Sequence, residues 1–453
     1  MRGINHRERS GRVVAPALVG ILAMVGTAMG VDPSRASSTE KGSLIVYPAV
    51  EIKWDDAGNV LQDTIIDLSN DYAGAVYVQL YFVNGDEPLE ERFVGFPIMR
   101  MDEAEPGWNW ADCRLRLTAN QPIFFSALTA EPDGCQPFGV LDTPQLFGKW
   151  GRPDPETNGM TRVLRGFLLV WAVKVHPENG LFEEIRWNHL KGDAVVVNYA
   201  NGTAWEYNAM AFQAHGVAHN EFLPTPGELV LDGFEYDVCP DELLLDFYGS
   251  GSFALSNGEV GTPGSVAVTN DTDLTLMPMF IDLRQDNDGP TTTKVEVEVW
   301  NEFESKFSGT RRCITCWDQT LLSNYVRSFA IPNYFLRETL RTDKGKARID
   351  GLQSIECEID EDDEEMHFKR LSHDAPLLGL STKVLYFNGG ADLAEACMNV
   401  VGMGEEIGKI EYDVVPPFDE LMGGETPARE TTRDARPTGR TSRGTRSEKI
   451  PAE

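Results

Sequence analysis

Two cysteines at Cys313-Ile314-Thr315-Cys316 carry the sharpest chemical spacing in the chain. Thiolates three positions apart can share one tetrahedral metal, and Cys357 with Cys397 would complete a four-sulfur zinc site. The second pair lacks the tight spacing of a zinc ribbon, so a structural disulfide is the preferred reading for Cys313 and Cys316. Cys113 and Cys135 flank a short segment of strand character around Phe124 to Leu128 and form the other expected disulfide. Seven cysteines in all leave at least one free or joined to a partner.

His215-Gly216-Val217-Ala218-His219 with Glu221 offers two imidazoles and a carboxylate. On a helix, residues four apart share a face, as in zinc proteases. Gly216 breaks such a helix at once and no glutamate lies between the histidines, so the segment reads as a loop with exposed imidazoles. Glu356 to Glu365 holds eight acids in ten residues. That density can hold calcium, which takes six to eight oxygens, but a solvated charge run explains it equally. Asp286-Asn287-Asp288-Gly289 resembles half of a calcium loop, yet Arg284 and Val295 stand where ligands are required, which leaves a hairpin turn. No cofactor is expected, with calcium or zinc as the alternatives.

Serine hydrolase chemistry needs a glycine-flanked elbow. Gly249-Ser250-Gly251-Ser252 lacks it, with Tyr248 in place of the required glycine. Trp108, Trp110, Trp205 and Tyr207 have polar neighbours and are the candidates for stacking on sugar rings, against the commoner fate of burial between sheets. No catalytic residue is assigned.

The elements that must position these groups are strands. Val50, Ile52 and Trp54 alternate with Glu51, Lys53 and Asp55, the period of a strand with one buried face. Gln62 to Asn70 and Val76 to Phe82 follow across turn clusters, which predicts an antiparallel meander. Residues 194–199 and 204–212 flank Asn201-Gly202 and predict a hairpin. Ile66-Asp67-Leu68 recurs as Ile281-Asp282-Leu283, each followed at equal spacing by an Asp and a Gly, which raises an internal repeat. Pro224-Thr225-Pro226-Gly227 is the internal boundary. The expected class is all-β, with two antiparallel β-sandwich-like domains at 42–224 and 225–415, few short helices, and a disordered tail at 416–453.

At the start, Arg2, Arg7, Arg9 and Arg12 precede an apolar stretch from Val13 to Val25, and Ala28-Met29-Gly30 offers small residues at a cleavage spacing. Residues 1–30 therefore read as a signal peptide and 31–41 as a linker, with no stable membrane span after processing. The expected location is secreted, periplasmic or cell-surface. A net charge of −31 repels phosphate backbones and excludes nucleic acid as a partner. A cell-envelope polymer or an extracellular partner remains.

Gly42-Ser43-Leu44-Ile45-Val46-Tyr47-Pro48 with its following hairpins, and Trp300 to Gly309 running into Arg311-Arg312-Cys313, resemble exported bacterial β-sandwich proteins of a family with no established activity. The resemblance covers most of the folded region and implies export and fold. It carries no catalytic residue. The expected function is that of a non-catalytic binding or structural protein; the rivals are a secreted carbohydrate-active enzyme using paired carboxylates and a metal protein using the cysteines around Cys313.

Overall fold

Three central strands explain most of the architecture: Leu44–Asp55, Val76–Asn84 and Thr161–Val175. In each, successive side chains leave on opposite faces, and here both faces are covered. Ile45, Leu80, Phe82, Leu168 and Val170 enter one core, while Leu44, Val46, Tyr81, Val83, Leu169 and Trp171 enter a second. These strands read as nearly continuous apolar runs because neither face meets water.

The structure is a computed structural model that describes residues 36–85, 109–134, 152–154, 160–254, 267–284, 293–314, 316–325, 332–353, 374–387, 392–414 and 429–437. Among these residues the strands form four sheets, of twelve, three, five and five strands. The chain is all-β and mainly antiparallel, with a single α-helix, Arg337–Leu340, and a short 3₁₀ turn, Leu322–Asn324, among the described residues. No described helix is long and apolar enough to cross a membrane.

The first three strands do not form the expected meander. Leu44–Asp55 meets Val60–Asn70 only at Lys53↔Gln62 and Trp54↔Val60, then runs along Thr161–Val175 from Leu44↔Trp171 to Asp55↔Thr161. Val76–Asn84 pairs with the other edge of that same long strand. A 15-residue, mostly buried apolar strand from later in the chain thus enters between the two. The predicted hairpin is present: Thr203–Asn208 runs back along Leu190–Asn198, with Gly202 at φ +67° in the connection. The two halves of the proposed repeat are not equivalent. Val60–Asn70 is a long antiparallel strand, whereas Phe280–Asp282 is three residues pairing parallel to Gly408–Glu411.

Apart from Arg429–Pro437, every strand of the large sheet ends by Phe212, and every strand of the other sheets begins at Glu228 or later. The two five-stranded sheets enclose a third core, built from Leu243, Leu245, Phe247, Val295, Val297, Val299 and Ile349 of one and Leu274, Leu276 and Leu377 of the other. The second core belongs to both halves, with Leu229, Leu231, Tyr236, Met277 and Ile410 packed against the large sheet. Of the tail, Arg429–Pro437 runs antiparallel along Asn109–Leu117; residues 438–453, like 1–35, lie outside the described residues.

Several sequence expectations are corrected by burial. Trp205 and Tyr207 are no platform for sugars: they are 9% and 3% exposed and belong to the first core. Their strand alternates, so Ala204, Glu206 and Asn208 take the outer face, and the Tyr207 hydroxyl donates to the Ala49 carbonyl. Trp205→Ala is expected to cost about 3–5 kcal/mol, measured by urea unfolding; a loss below about 1 kcal/mol would contradict this placement. Trp108 lies outside the described residues, and Trp110 is described only by its backbone pairing with Val83 and Arg436.

Cys316 is also corrected. It is a free, buried thiol rather than half of a disulfide, and desolvation in the second core pushes it up to about 12. Cys313, three positions earlier on the Lys306–Ile314 strand, is disulfide-bonded, as is Cys113. The partner sulfurs of both, and with them Cys135 and Cys357, lie outside the described residues. The four-sulfur metal set does not assemble: Cys313 is not a thiolate, Cys316 faces the second core, and Cys397 is a half-buried thiol against the first.

Candidate functional site

The turn after Val60–Asn70 builds a partly exposed cluster of chemically active side chains. Asn70 is buried and organises it: its Nδ2 donates to the carbonyls of Gly74 and Thr118, both at 2.9 Å. Its Oδ1 accepts from the Tyr72 amide at 3.2 Å and from Trp187 Nε1 at 3.0 Å. The indole of Trp187 is thereby fixed as a floor. Tyr72, 37% exposed, stands edge-on to it at 4.9 Å between centroids.

Two imidazoles complete the cluster. His189 lies 4.6 Å from Tyr72, and His219 lies 4.4 Å from Tyr72 and 4.7 Å from Trp187. The two imidazole centroids are 5.2 Å apart. His189 Nδ1 is 3.0 Å from Asp71 Oδ1, and the Asp71 amide donates to the His189 carbonyl at 3.1 Å. Lys41 Nζ holds the other Asp71 oxygen. Desolvation pushes the Asp71 carboxyl up, but the hydrogen bonds from Lys41 and His189 outweigh it and the net direction is down. His219 is pushed below the usual imidazole range by desolvation first, then by His189 and Arg186. Arg186 donates Nη1 to the Val217 carbonyl at 2.5 Å and so pins the loop that carries His219.

The sequence singled out His215 and His219 as a pair, and the structure separates them. His215 Nε2 meets Asp237 Oδ1 at 2.7 Å, while Asp237 Oδ2 accepts the Gln213 amide at 2.6 Å. The true neighbour of His219 is His189, thirty residues upstream and without a spacing signal. Ser250, the serine closest to an elbow, is buried and donates to the Asn270 carbonyl at 3.3 Å. Residues 286–289 and 356–365 lie outside the described residues.

No protein-family model and no curated protein matches the chain.

A second polar group lies in the interior. Glu184, 1% exposed, accepts from the Gly227 amide at 3.1 Å through Oε1. Its Oε2, the Tyr236 hydroxyl and Glu235 Oε1 find no hydrogen-bond partner among the described residues. Burial pushes Glu184 up to about 8, assisted by Glu235 and Glu183. Burial likewise pushes Glu235 up to about 7, with Asp232 and Glu228 adding to it. Carboxyls that titrate near neutrality mark many acid–base sites. Both are buried here, at the seam between the two halves, so their titration bears on the stability of that seam.

Proposed function

We propose that the chain is an exported, non-catalytic binding protein whose recognition surface is the Tyr72, His189 and His219 cluster. One observation carries this reading: partly exposed rings, Tyr72, His189 and His219, pack on one another and on a fixed indole, while the polar groups around them, Asn70, Asp71 and Lys41, are spent on holding them in place. Aromatic faces over an apolar floor recognise flat or CH-rich ligand surfaces. Among the described residues His189 has no serine or cysteine hydroxyl or thiol as a hydrogen-bond partner, which a nucleophile–base pair would need.

Export is supported by the leader-like residues 1–30 and by Cys113 and Cys313 in disulfides, which persist in oxidising compartments. The partner class is a cell-envelope polymer or an extracellular partner. The chain purified from culture medium or periplasm is expected to begin near Gly30 by N-terminal sequencing. On an array of envelope glycans it is expected to bind without turnover, and Tyr72→Ala is expected to weaken that binding about tenfold. Unchanged binding in Tyr72→Ala, or hydrolysis that disappears in Glu235→Gln, would replace this reading with the carbohydrate-active enzyme.

A further inference from the structure

Ring stacking leaves one chemistry of the cluster unused, that of the ring nitrogens. His189 spends Nδ1 on Asp71 at 3.0 Å, and its Nε2 has no hydrogen-bond partner among the described residues. His219 has none on either nitrogen there; only its ring faces are engaged, by Tyr72, Trp187 and His189. A carboxylate on one nitrogen of an imidazole fixes the tautomer and makes the other nitrogen the better donor, the arrangement that supports histidines bound to metals. Asp71 is held for that task from two further directions, by Lys41 and by its own amide on the His189 carbonyl.

The second donor is within reach. The imidazole centroids lie 5.2 Å apart with planes inclined by 85°. Two imidazoles bound to one ion at about 2.0–2.1 Å per nitrogen span a comparable distance. Because no hydrogen bond among the described residues commits a His219 nitrogen, one is available to an ion that His189 already holds, on a ring that Tyr72 and Trp187 keep in place. Its loop stays in place through the Arg186 contact to Val217 and the Asn220 amide bond to the Arg186 carbonyl, 2.8 Å.

We propose that His189 Nε2 and a ring nitrogen of His219 bind one divalent late first-row transition ion, copper(II) or zinc(II), with Asp71 as the positioning carboxylate. Imidazole donors favour these ions over calcium and magnesium, which take oxygen. The described residues hold no group of three metal-binding side chains, so solvent or a ligand atom completes the coordination and the site is open. A net charge of −31 concentrates cations near the surface. The proposal rests on the reading of this cluster as the recognition surface and names one class of ligand for it.

The test titrates the full chain with copper(II) sulfate and with zinc(II) chloride by calorimetry, and records the copper spectrum by electron paramagnetic resonance. One ion per chain and a hyperfine pattern from two imidazole nitrogens are expected. His189→Gln and His219→Gln each remove that pattern. Asp71→Asn keeps the two nitrogens but weakens binding about 10- to 100-fold. His215→Gln, whose ring is engaged by Asp237, binds as the native chain does. Circular dichroism confirms that each variant is folded, and quenching of Trp187 by copper gives a second readout that His219→Gln abolishes. Absence of a one-to-one isotherm, or an unchanged spectrum in the double variant His189→Gln, His219→Gln, overturns the proposal. Glycan binding that is lost in Tyr72→Ala, without any metal isotherm, removes the metal and leaves the recognition surface standing.

Discussion

Glu184→Gln is expected to be more stable than the native chain at pH 8 and to lose a large part of the native chain's dependence on pH between 5 and 8. The Glu184 carboxyl is 1% exposed, and burial pushes it from the ordinary 4.5 up to about 8. The folded state therefore holds this proton more tightly than the unfolded chain does. Stability from that preference is complete below about 4.5, declines as pH rises, and is gone once pH has passed about 8. At about 1.4 kcal/mol for each tenfold in proton affinity, on the order of 5 kcal/mol separates the two limits.

Glutamine resembles the protonated acid in shape and charge and does not titrate. Its Oε1 can still accept from the Gly227 amide that Glu184 holds at 3.1 Å. Glu235, pushed up to about 7, acts in the same direction over a lower window, so a residual slope is expected in Glu184→Gln and a flatter profile in the variant that also carries Glu235→Gln. Urea midpoints of native and variant chains from pH 5 to pH 9 measure this directly. Native and Glu184→Gln profiles that run parallel would show that Glu184 is charged in the folded state throughout.

Strand parity was legible in the sequence, and strand neighbours were not. Val295, Val297 and Val299 alternate with charged residues, and the Thr293–Asn301 strand buries those three valines. The same parity placed Glu51 in solvent. It is 4% exposed, because residues of the second half cover the outer face, where Gln319 lies 3.4 Å from the carboxylate and Lys53 lies 2.6 Å away on the same strand. Alternation tells which residues share a face but does not tell whether another layer covers it. Trp205 and Tyr207 failed for a related reason: polar residues on both sides of an aromatic are the signature of an exposed loop and equally of a strand with one buried face.

The cluster at Tyr72, His189 and His219 was legible only in part. His219 stood out in the sequence beside His215, yet the contacts that define its surroundings come from Tyr72, Trp187 and His189, brought together by the turn at Asn70. No spacing rule joins positions 72, 189 and 219, since their proximity follows from the pairing of Val60–Asn70 with Leu190–Asn198, Asn70 opposite Leu190. The cysteines carried the same ambiguity. The short interval between Cys313 and Cys316 raised a shared metal, and structural disulfides were preferred for both, but Cys313 at a strand end is disulfide-bonded while Cys316 is a free thiol in the second core.

Gly166→Ala is expected to be the most damaging glycine-to-alanine change among the described residues, with a loss above about 4 kcal/mol and little soluble protein. Gly166 sits within Thr161–Val175, opposite Val50 on one side and Asn84 on the other. A Cβ there would stand 2.0 Å from the Val83 carbonyl oxygen and 2.7 Å from the Gly85 nitrogen. Both are backbone atoms, so no side-chain rotation relieves the clash, and the Gly85 amide is already committed to the Arg165 carbonyl at 3.0 Å. The central strands must separate. Their separation reaches both cores at once, because Phe167, Leu169 and Trp171 leave this strand on one face and Leu168, Val170 and Ala172 on the other. Gly202→Ala supplies the contrast. Gly202 adopts φ +67° in the hairpin connection and a Cβ there meets nothing within 4 Å, so only the left-handed backbone is penalised, at about 1–2 kcal/mol. Urea midpoints and soluble yields of the two variants separate a steric cause from a conformational one. A Gly166→Ala chain that is soluble and as stable as Gly202→Ala would mean that Val76–Asn84 does not lie against Thr161–Val175 in this register, and the two-core arrangement of the large sheet would fall with it.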